Sequence, residues 1–298
     1  MIVTPVDLGI AHYTIPALAY LVQSSACLNA FIYCNGLSPA QVDTVRSQIE
    51  RYDRFTLRDN SAHMQSIQDG VQIGGWYTTD AGHTELREGN YENCGEIWSR
   101  ELVALEGDLV GMVDADFEMF DVEFALHMIE AFSSDAKLAF FSTEHRRRVE
   151  THESYTQMDA IVADLYATWF CLYRRSALEK CHDFTYVEER APGETPVIYD
   201  HSAKLQETLS TEFGFTGRAL KRTYSRQYLH YGAFAKNRSL RGRSLDFYRF
   251  LRIGAYNGWI HRLRVPIVAS VARVLAYAAW TVLRMSRFDA ERQRYLFD

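Results

Sequence analysis

Two aspartates one residue apart, Asp114 and Asp116, close the stretch LVGMVDADFEMF (109–120). Four apolar side chains, Leu109, Val110, Met112 and Val113, run directly into them. Neighbouring carboxylates repel, so the pair costs stability unless a positive group lies between them. Their i, i+2 spacing lets both reach one point when the chain leaves a strand in a turn. Carboxylate oxygens suit hard cations such as Mg²⁺ or Mn²⁺, which keep several waters and bind phosphate oxygens at the same time. A divalent ion that also clamps a diphosphate would relieve the repulsion. The plainer alternative is an acidic turn capping the next helix, where aspartate is common. So short a motif leaves both readings open.

The first reading needs a strand end in an α/β sheet, because ligands gather at the carboxyl ends of parallel strands. The pattern along the chain predicts such a sheet. Strands are expected at 1–6, 28–34, 54–58, 109–113 and 137–143. Helices are expected at 14–25, with Pro16 in the first turn, and from Pro39, capped by Ser38, to about 51. Further helices are expected at 91–105 and 122–132. Residues 60–90, rich in Gly, Asp, Thr and His, read as loop. Strand–helix alternation of this kind predicts an α/β fold with a mostly parallel sheet flanked by helices. Beyond it, 155–170 reads as a helix, 170–181 as a strand leading into a short helix, and 185–197 as a loop. A helix over 201–213 follows, with Asp200 as its natural N-cap.

In order over residues 1–235, the chain resembles the GT-A nucleotide-sugar glycosyltransferases, most closely the inverting group called family 2. The resemblance is carried by FIYCNGLS, NYENCGEIWSREL, EGDLVGMVDADFEMF, WFCLYRRSALEKC, VIYDHSAKLQETLSTEFGFTGRAL and YLHYGAF. It implies a Rossmann-like catalytic domain over 1–235, which leaves 236–298 as a C-terminal extension that its charge and apolar spacing mark as basic and helical. It also implies roles, position by position. Asp114 would lie near the ribose and the metal, Asp116 would ligate the metal, and His230 would be a further metal or diphosphate contact. Asp200 would be the base that deprotonates the acceptor hydroxyl. Thr4-Pro5 and Cys34-Asn35 would line the nucleotide. The activity implied is transfer of a sugar from a UDP- or GDP-type donor to a hydroxyl of a glycan or lipid-linked acceptor, with inversion and with Mn²⁺ or Mg²⁺ as cofactor. Such a metal neutralises the leaving diphosphate, and a positioned carboxylate activates the weak hydroxyl nucleophile.

The chain departs from that pattern twice. The family's acidic residue at the end of the second strand is replaced by Cys34-Asn35-Gly36, which leaves Asp7 or Asp59 to hold the nucleotide base. Asp200 stands alone between Tyr199 and His201, with Glu188 or Glu189 as the alternative base and helix capping as its alternative role. His230, among Tyr228, Tyr231 and Phe234, also fits an ordinary packed histidine. The run Arg146-Arg147-Arg148 reads as a solvated face in preference to a phosphate grip.

Charge divides the chain. Its 298 residues carry 32 Lys+Arg and 38 Asp+Glu, yet 17 of the basic residues and only 4 of the acidic ones lie in 218–298. That quarter therefore faces something anionic: membrane headgroups, phosphates, or the acidic body itself. Within it, 265–283 is apolar at 15 of 19 positions. As a helix it would be about 28 Å long, near the thickness of a bilayer core. Arg273 in its middle argues against a simple span. Ser270, Arg273, Tyr277, Thr281 and Arg284 form one polar stripe, extended by Arg262 if the helix begins before Pro266, as on a helix lying in a membrane interface or packed on the catalytic domain or a partner.

Five scattered cysteines predict reduced, mostly buried thiols, and no basic-then-apolar leader opens the sequence. The expected location is cytoplasmic, peripheral to the inner face of the membrane. Three other readings compete. A transferase acting on modified DNA bases is disfavoured by the acidic body. A phosphohydrolase of the haloacid dehalogenase type is disfavoured by Glu118, which stands where Thr or Val is needed. The last is a non-catalytic GT-A-like protein that binds membrane or a partner.

Overall fold

The computed structural model describes residues 2–5, 11–25, 27–35, 37, 39–60, 94–115, 117–119, 121–151, 160–189, 191–221, 223–224 and 227–230. The loop read at 60–90, the helix read at 265–283 and the whole extension at 236–298 therefore lie outside the described residues, apart from Asn60.

A seven-stranded sheet forms the centre. Its strands are β1 (Ile2–Pro5), β2 (Ala30–Asn35), β3 (Phe55–Asp59), β4 (Leu109–Asp114), β6 (Leu138–Ser142), β11 (Phe170–Arg174) and β14 (Thr216–Ala219). Their order is β14-β6-β11-β4-β1-β2-β3. Neighbours are parallel except at β11, which runs antiparallel to both β4 and β6. The mostly parallel α/β sheet expected from sequence is therefore present, with one reversed strand inside it. Helices α1 (Ala11–Gln23), α2 (Pro39–Ile49), α3 (Cys94–Ala104), α4 (Glu123–Ser134), α5 (Arg175–Leu178) and α6 (Ala203–Thr211) complete the described helical set.

The apolar runs explain the core. Val110, Met112 and Val113 of β4 are buried, as are all five residues of β6, because parallel strands covered on both faces must be apolar throughout. Ile15, Leu18, Ala19 and Val22 of α1 pack into one core cluster with Ile32, Val45, Phe124 and Phe170. Ile97, Trp98 and Leu102 of α3 join a second cluster with Met112, Phe140 and Tyr173. Two arginines close helix ends. Arg54, in a left-handed conformation at φ +64°, donates to the carbonyls of Val22 (2.6 Å), Ser25 (2.5 Å) and Leu28 (3.1 Å) around the end of α1. Arg174 donates to the carbonyls of Phe132 and Asp135, both at 2.8 Å, at the end of α4. Each satisfies acceptors that a helix terminus leaves open.

Among the described residues, short strands form three smaller sheets. A four-stranded sheet orders β12 (Val187–Glu189), β13 (Val197–Tyr199), β9 (Ala160–Val162) and β8 (Val149–Thr151). Strand β7 (His145–Arg146) pairs with β10 (Leu165–Tyr166), and β5 (Phe117–Met119) pairs with β15 (Tyr228–His230).

Four expectations are corrected. The helix read at 155–170 is instead β9 and β10 where it is described: Ile161 and Val162 pair with Val197 and Ile198, a placement their branched side chains favour. Strand β12 falls within the loop read at 185–197. Helix α1 begins at Ala11, so Pro16 sits inside the helix and not in its first turn. Helix α6 begins at Ala203 with Ser202 at the N-cap position, at φ +70°, so Asp200 is not the cap. Its carboxylate instead accepts from the backbone N–H of His201 (2.8 Å), and its carbonyl accepts from that of Ala203 (2.8 Å). None of the five cysteines is in a disulfide, but only Cys34 and Cys171 are fully buried, and Cys27 is exposed.

Candidate functional site

Strand β1 lies between β2 and β4, so the order of the sheet reverses direction at β1. In a parallel sheet such a reversal opens a crevice at the carboxyl ends of the two flanking strands. Registers place most of the sequence-predicted residues along that edge. Val3 is level with Asp114, Pro5 with Asn35, and Cys34 with Asp59. Thr4 and Pro5 end β1, and Asp114 ends β4. Asp59 is exposed. Asn35 is fully buried, and its side-chain oxygen accepts from Nδ2 of Asn60 at 2.8 Å. Asp7 and Asp116 lie outside the described residues.

The chain around Asp114 is held from three sides. Its backbone N–H donates to the carbonyl of Trp169 (2.9 Å), just before β11. Thr14 of α1 donates its hydroxyl to the carbonyl of Ala115 (2.6 Å). Phe117, in the strand that follows, is fully buried against Phe124, Phe170 and Tyr228, with ring centroids 5.3–6.2 Å away. Aromatic pairs of this kind add about 0.5–1.5 kcal/mol each beyond their buried area.

His230 reaches the same point from the far end of the described chain. Strand β15 sets its backbone opposite Phe117. Gln227, just before β15, locks that strand to the start of α4. Its side-chain oxygen accepts from Phe124 N (2.9 Å), its amide donates to Glu123 (3.0 Å), and its carbonyl accepts from Asp121 N (3.1 Å). The Tyr228 hydroxyl donates to the carbonyl of Thr143 (3.0 Å), past the end of β6. So placed, Nε2 of His230 stands 3.4 Å from Oδ2 of Asp114.

A stack extends from this pair. The Trp169 ring lies parallel to that of His230, with centroids 4.4 Å apart and planes at 13°. The Arg146 guanidinium sits over the same indole, 4.4 Å from its centroid. Trp169 is buried, the His230 side chain is 19% exposed, and Asp114 and Arg146 are more open at 29% and 54%. Anion, imidazole, indole and cation thus meet at one edge of the sheet. The sequence did not single out Trp169 or Gln227, and it placed Arg146 on a solvated face. That face is the correct reading for the exposed Arg147 and Arg148. For Arg146 it omits the indole contact.

Asp200 follows β13 and so belongs to the four-stranded sheet. Glu188 and Asp200 both lie near Tyr186, whose hydroxyl is pushed above its ordinary pKa chiefly by burial, and further by those two negative charges. Glu189 is bound to Nζ of Lys204 at 2.8 Å, which raises the lysine's pKa; Glu207 shares the same ammonium at 3.0 Å. Of the two alternative bases, Glu188 is the one that shares the neighbourhood of Tyr186 with Asp200, and Glu189 is engaged with a cation.

A carboxylate oxygen and an imidazole nitrogen facing each other form a donor set that suits Mn²⁺, which accepts both ligand types. No group of three such ligands occurs among the described residues. No described helix is long and apolar enough to cross a membrane.

No protein-family model matches the chain, and no curated protein matches its sequence. Among solved structures it is similar to the mannosyltransferase PcManGT from Pyrobaculum calidifontis, in complex with GDP-Man and Mn²⁺. That likeness has 11% identity and a TM-score of 0.47, covering 99% of this chain and 83% of the other. It is also similar to HddC from Yersinia pseudotuberculosis, at 8% identity and a TM-score of 0.32, over 62% and 72% of the two chains. At this level of identity and superposition, neither likeness assigns an activity to the chain.

Proposed function

We propose that this chain is a metal-dependent glycosyltransferase of the GT-A type. It would move a sugar from a nucleoside-diphosphate donor to a hydroxyl of a glycan or lipid-linked acceptor. The observation that carries this reading is the approach of His230 to Asp114, 3.4 Å apart at the carboxyl end of β4. Two residues 116 positions apart in sequence converge where a doubly wound sheet binds its ligand.

Asp114 and His230 would hold the metal, with Asp116 joining them as the sequence resemblance implies. When bound, the metal supplies Lewis-acid neutralisation of the leaving diphosphate. The chain's own residues do the rest. The ends of β1 and β2 border the space for the nucleotide. Asp200 takes the proton of the acceptor hydroxyl, with Glu188 as the alternative base, and attack from the face opposite the diphosphate inverts the anomeric carbon. The basic residues of 218–298 support a lipid-linked acceptor at an anionic membrane surface on the cytoplasmic side.

The test is thermal stabilisation of the purified chain by UDP, GDP and CDP and their sugars, with Mn²⁺ and with EDTA, in wild type and Asp116→Ala. A metal-dependent shift with one nucleotide, lost in the variant, is the expected result. Folded protein that responds to none of them would sink the proposal.

A further inference from the structure

The proposed function seats a diphosphate beside the carboxylate of Asp114, and neighbouring negative charges call for positive charge at the same edge. Arg146 is the residue that meets this requirement. It lies in β7, just past the carboxyl end of β6, and β6 runs in the same direction as β4. Trp169 contacts both Arg146 and His230, so guanidinium and imidazole are no more than two stacking distances apart. The residue that presents Arg146 is itself buried, and its backbone carbonyl accepts from the N–H of Asp114.

The physics of the contact favours anion binding over a solvated charge. A guanidinium stacked on an aromatic face uses its π-face and leaves its in-plane N–H fork open for two parallel bonds to phosphate. Stacking also restricts a side chain that would otherwise lose rotamer freedom on binding. Its carboxylate neighbour, Glu144, stands 3.7 Å away with both side chains 54% exposed, a contact that water and salt weaken. Arg147 and Arg148 lie beside it in the sequence and are exposed.

We infer that Arg146, held on Trp169, is the diphosphate-binding cation of this site. Trp169 acts as the positioning residue that keeps the guanidinium and His230 in one column. This inference rests on the nucleotide-sugar reading for the identity of the ligand, but its core claim is a pyrophosphate-type anion site.

The experiment titrates the full chain, with Mn²⁺, against inorganic pyrophosphate and separately against UDP and GDP, following heat of binding. Wild type is compared with Arg146→Ala, Arg146→Lys and Arg147→Ala, and thermal melting confirms that each is folded. Arg146→Ala should weaken pyrophosphate and the favoured nucleoside diphosphate about 10- to 100-fold, as expected for loss of a charge-assisted pair. Arg146→Lys should restore only part of that, because an ammonium keeps the charge but lacks the fork, and Arg147→Ala should bind as wild type. Unchanged binding in Arg146→Ala, or an equal loss in Arg147→Ala, overturns the inference while leaving the transferase reading intact. Arg146-dependent binding of pyrophosphate with no binding of either nucleotide supports the anion site and counts against the transferase reading. Absence of binding to any of the three overturns both.

Discussion

His230 and Trp169 stack face to face, 4.4 Å between ring centroids, although sixty residues of chain separate them. The contact fixes the plane of an imidazole whose Nε2 points at Asp114. Backbone pairing of β15 with β5 sets where His230 begins, and Trp169 sets where its ring ends. A side chain held at both levels needs little rearrangement to act as a ligand, which is what a preorganised site requires.

Removing the indole should therefore loosen the ring without unfolding the domain. In Trp169→Phe a smaller ring still stacks, and Mn²⁺ affinity should fall only a few-fold. In Trp169→Ala the platform is gone, and affinity should fall about tenfold or more, in line with the cost of losing a supporting shell around a metal ligand. The ring-current shift of the His230 Hε1 resonance reads the geometry directly, without metal. That shift should persist in Trp169→Phe and vanish in Trp169→Ala. A resonance unmoved by Trp169→Ala would mean that the stack does not hold in solution.

Asp200 and Glu189 should separate cleanly by mutation. On the proposed mechanism, Asp200→Asn keeps shape and removes the base, so glycosyl transfer should drop roughly 10²- to 10⁴-fold, while stabilisation by nucleotide and Mn²⁺ survives. Glu189→Gln releases Lys204 from a partly exposed ion pair. That should leave transfer near wild type and change stability by less than about 1 kcal/mol. If Glu189→Gln abolished transfer and Asp200→Asn did not, the base would be assigned the wrong way round.

Much of the sheet could be read from sequence because its signals are local. The runs that became β1, β2, β4 and β6 are short, mostly apolar and bounded by turn residues, and Asp114 is simply where one run stops being apolar. What could not be read depends on pairing. Trp169 matters only because β11 inserts antiparallel between β4 and β6, and nothing in ATWFCLYRR announces that reversal. The helix read at 155–170 failed for a related reason. Ile161, Val162, Leu165 and Tyr166 fit one helical face, but two separate strand pairings, with β13 and with β7, took them instead. Asp200 looked like a helix cap because its helix start was placed two residues too early.

Gly95 offers a test of packing against His201. A Cβ there would lie 2.6 Å from Nδ1 of His201 and 2.6 Å from the carbonyl oxygen of Phe184. The His201 ring is buried edge-on against Trp98, and the carbonyl is backbone, so neither can simply swing away. Gly95→Ala should cost about 1–3 kcal/mol, as overpacking of a tight core does. Urea unfolding measures the cost. Because His201 adjoins Asp200, transfer should fall more steeply than stability alone accounts for. A variant as stable as wild type would show that α3 has room that the packing does not suggest.

Alkaline stability should report on the centre of the sheet. Cys171 lies fully buried on β11, facing Met112 and Ser142 of its neighbours. Burial pushes its thiol up to about 12. Tyr173, two residues on and also fully buried, is raised well above its ordinary value, again chiefly by burial. An unfolded thiol ionises near pH 8.5. Above that pH the unfolded state holds fewer protons than the native one, so stability falls as pH rises. The thiol's contribution is fully present below about pH 8.5 and is lost progressively towards pH 12, at about 1.4 kcal/mol per unit from this one group. Cys171→Ala removes that ionisation at the expense of a small cavity. It should be less stable than wild type at pH 7, yet lose stability less steeply between pH 9 and 11. Urea midpoints across that range decide the matter, and parallel slopes in the two proteins would show that Cys171 does not titrate as a buried group.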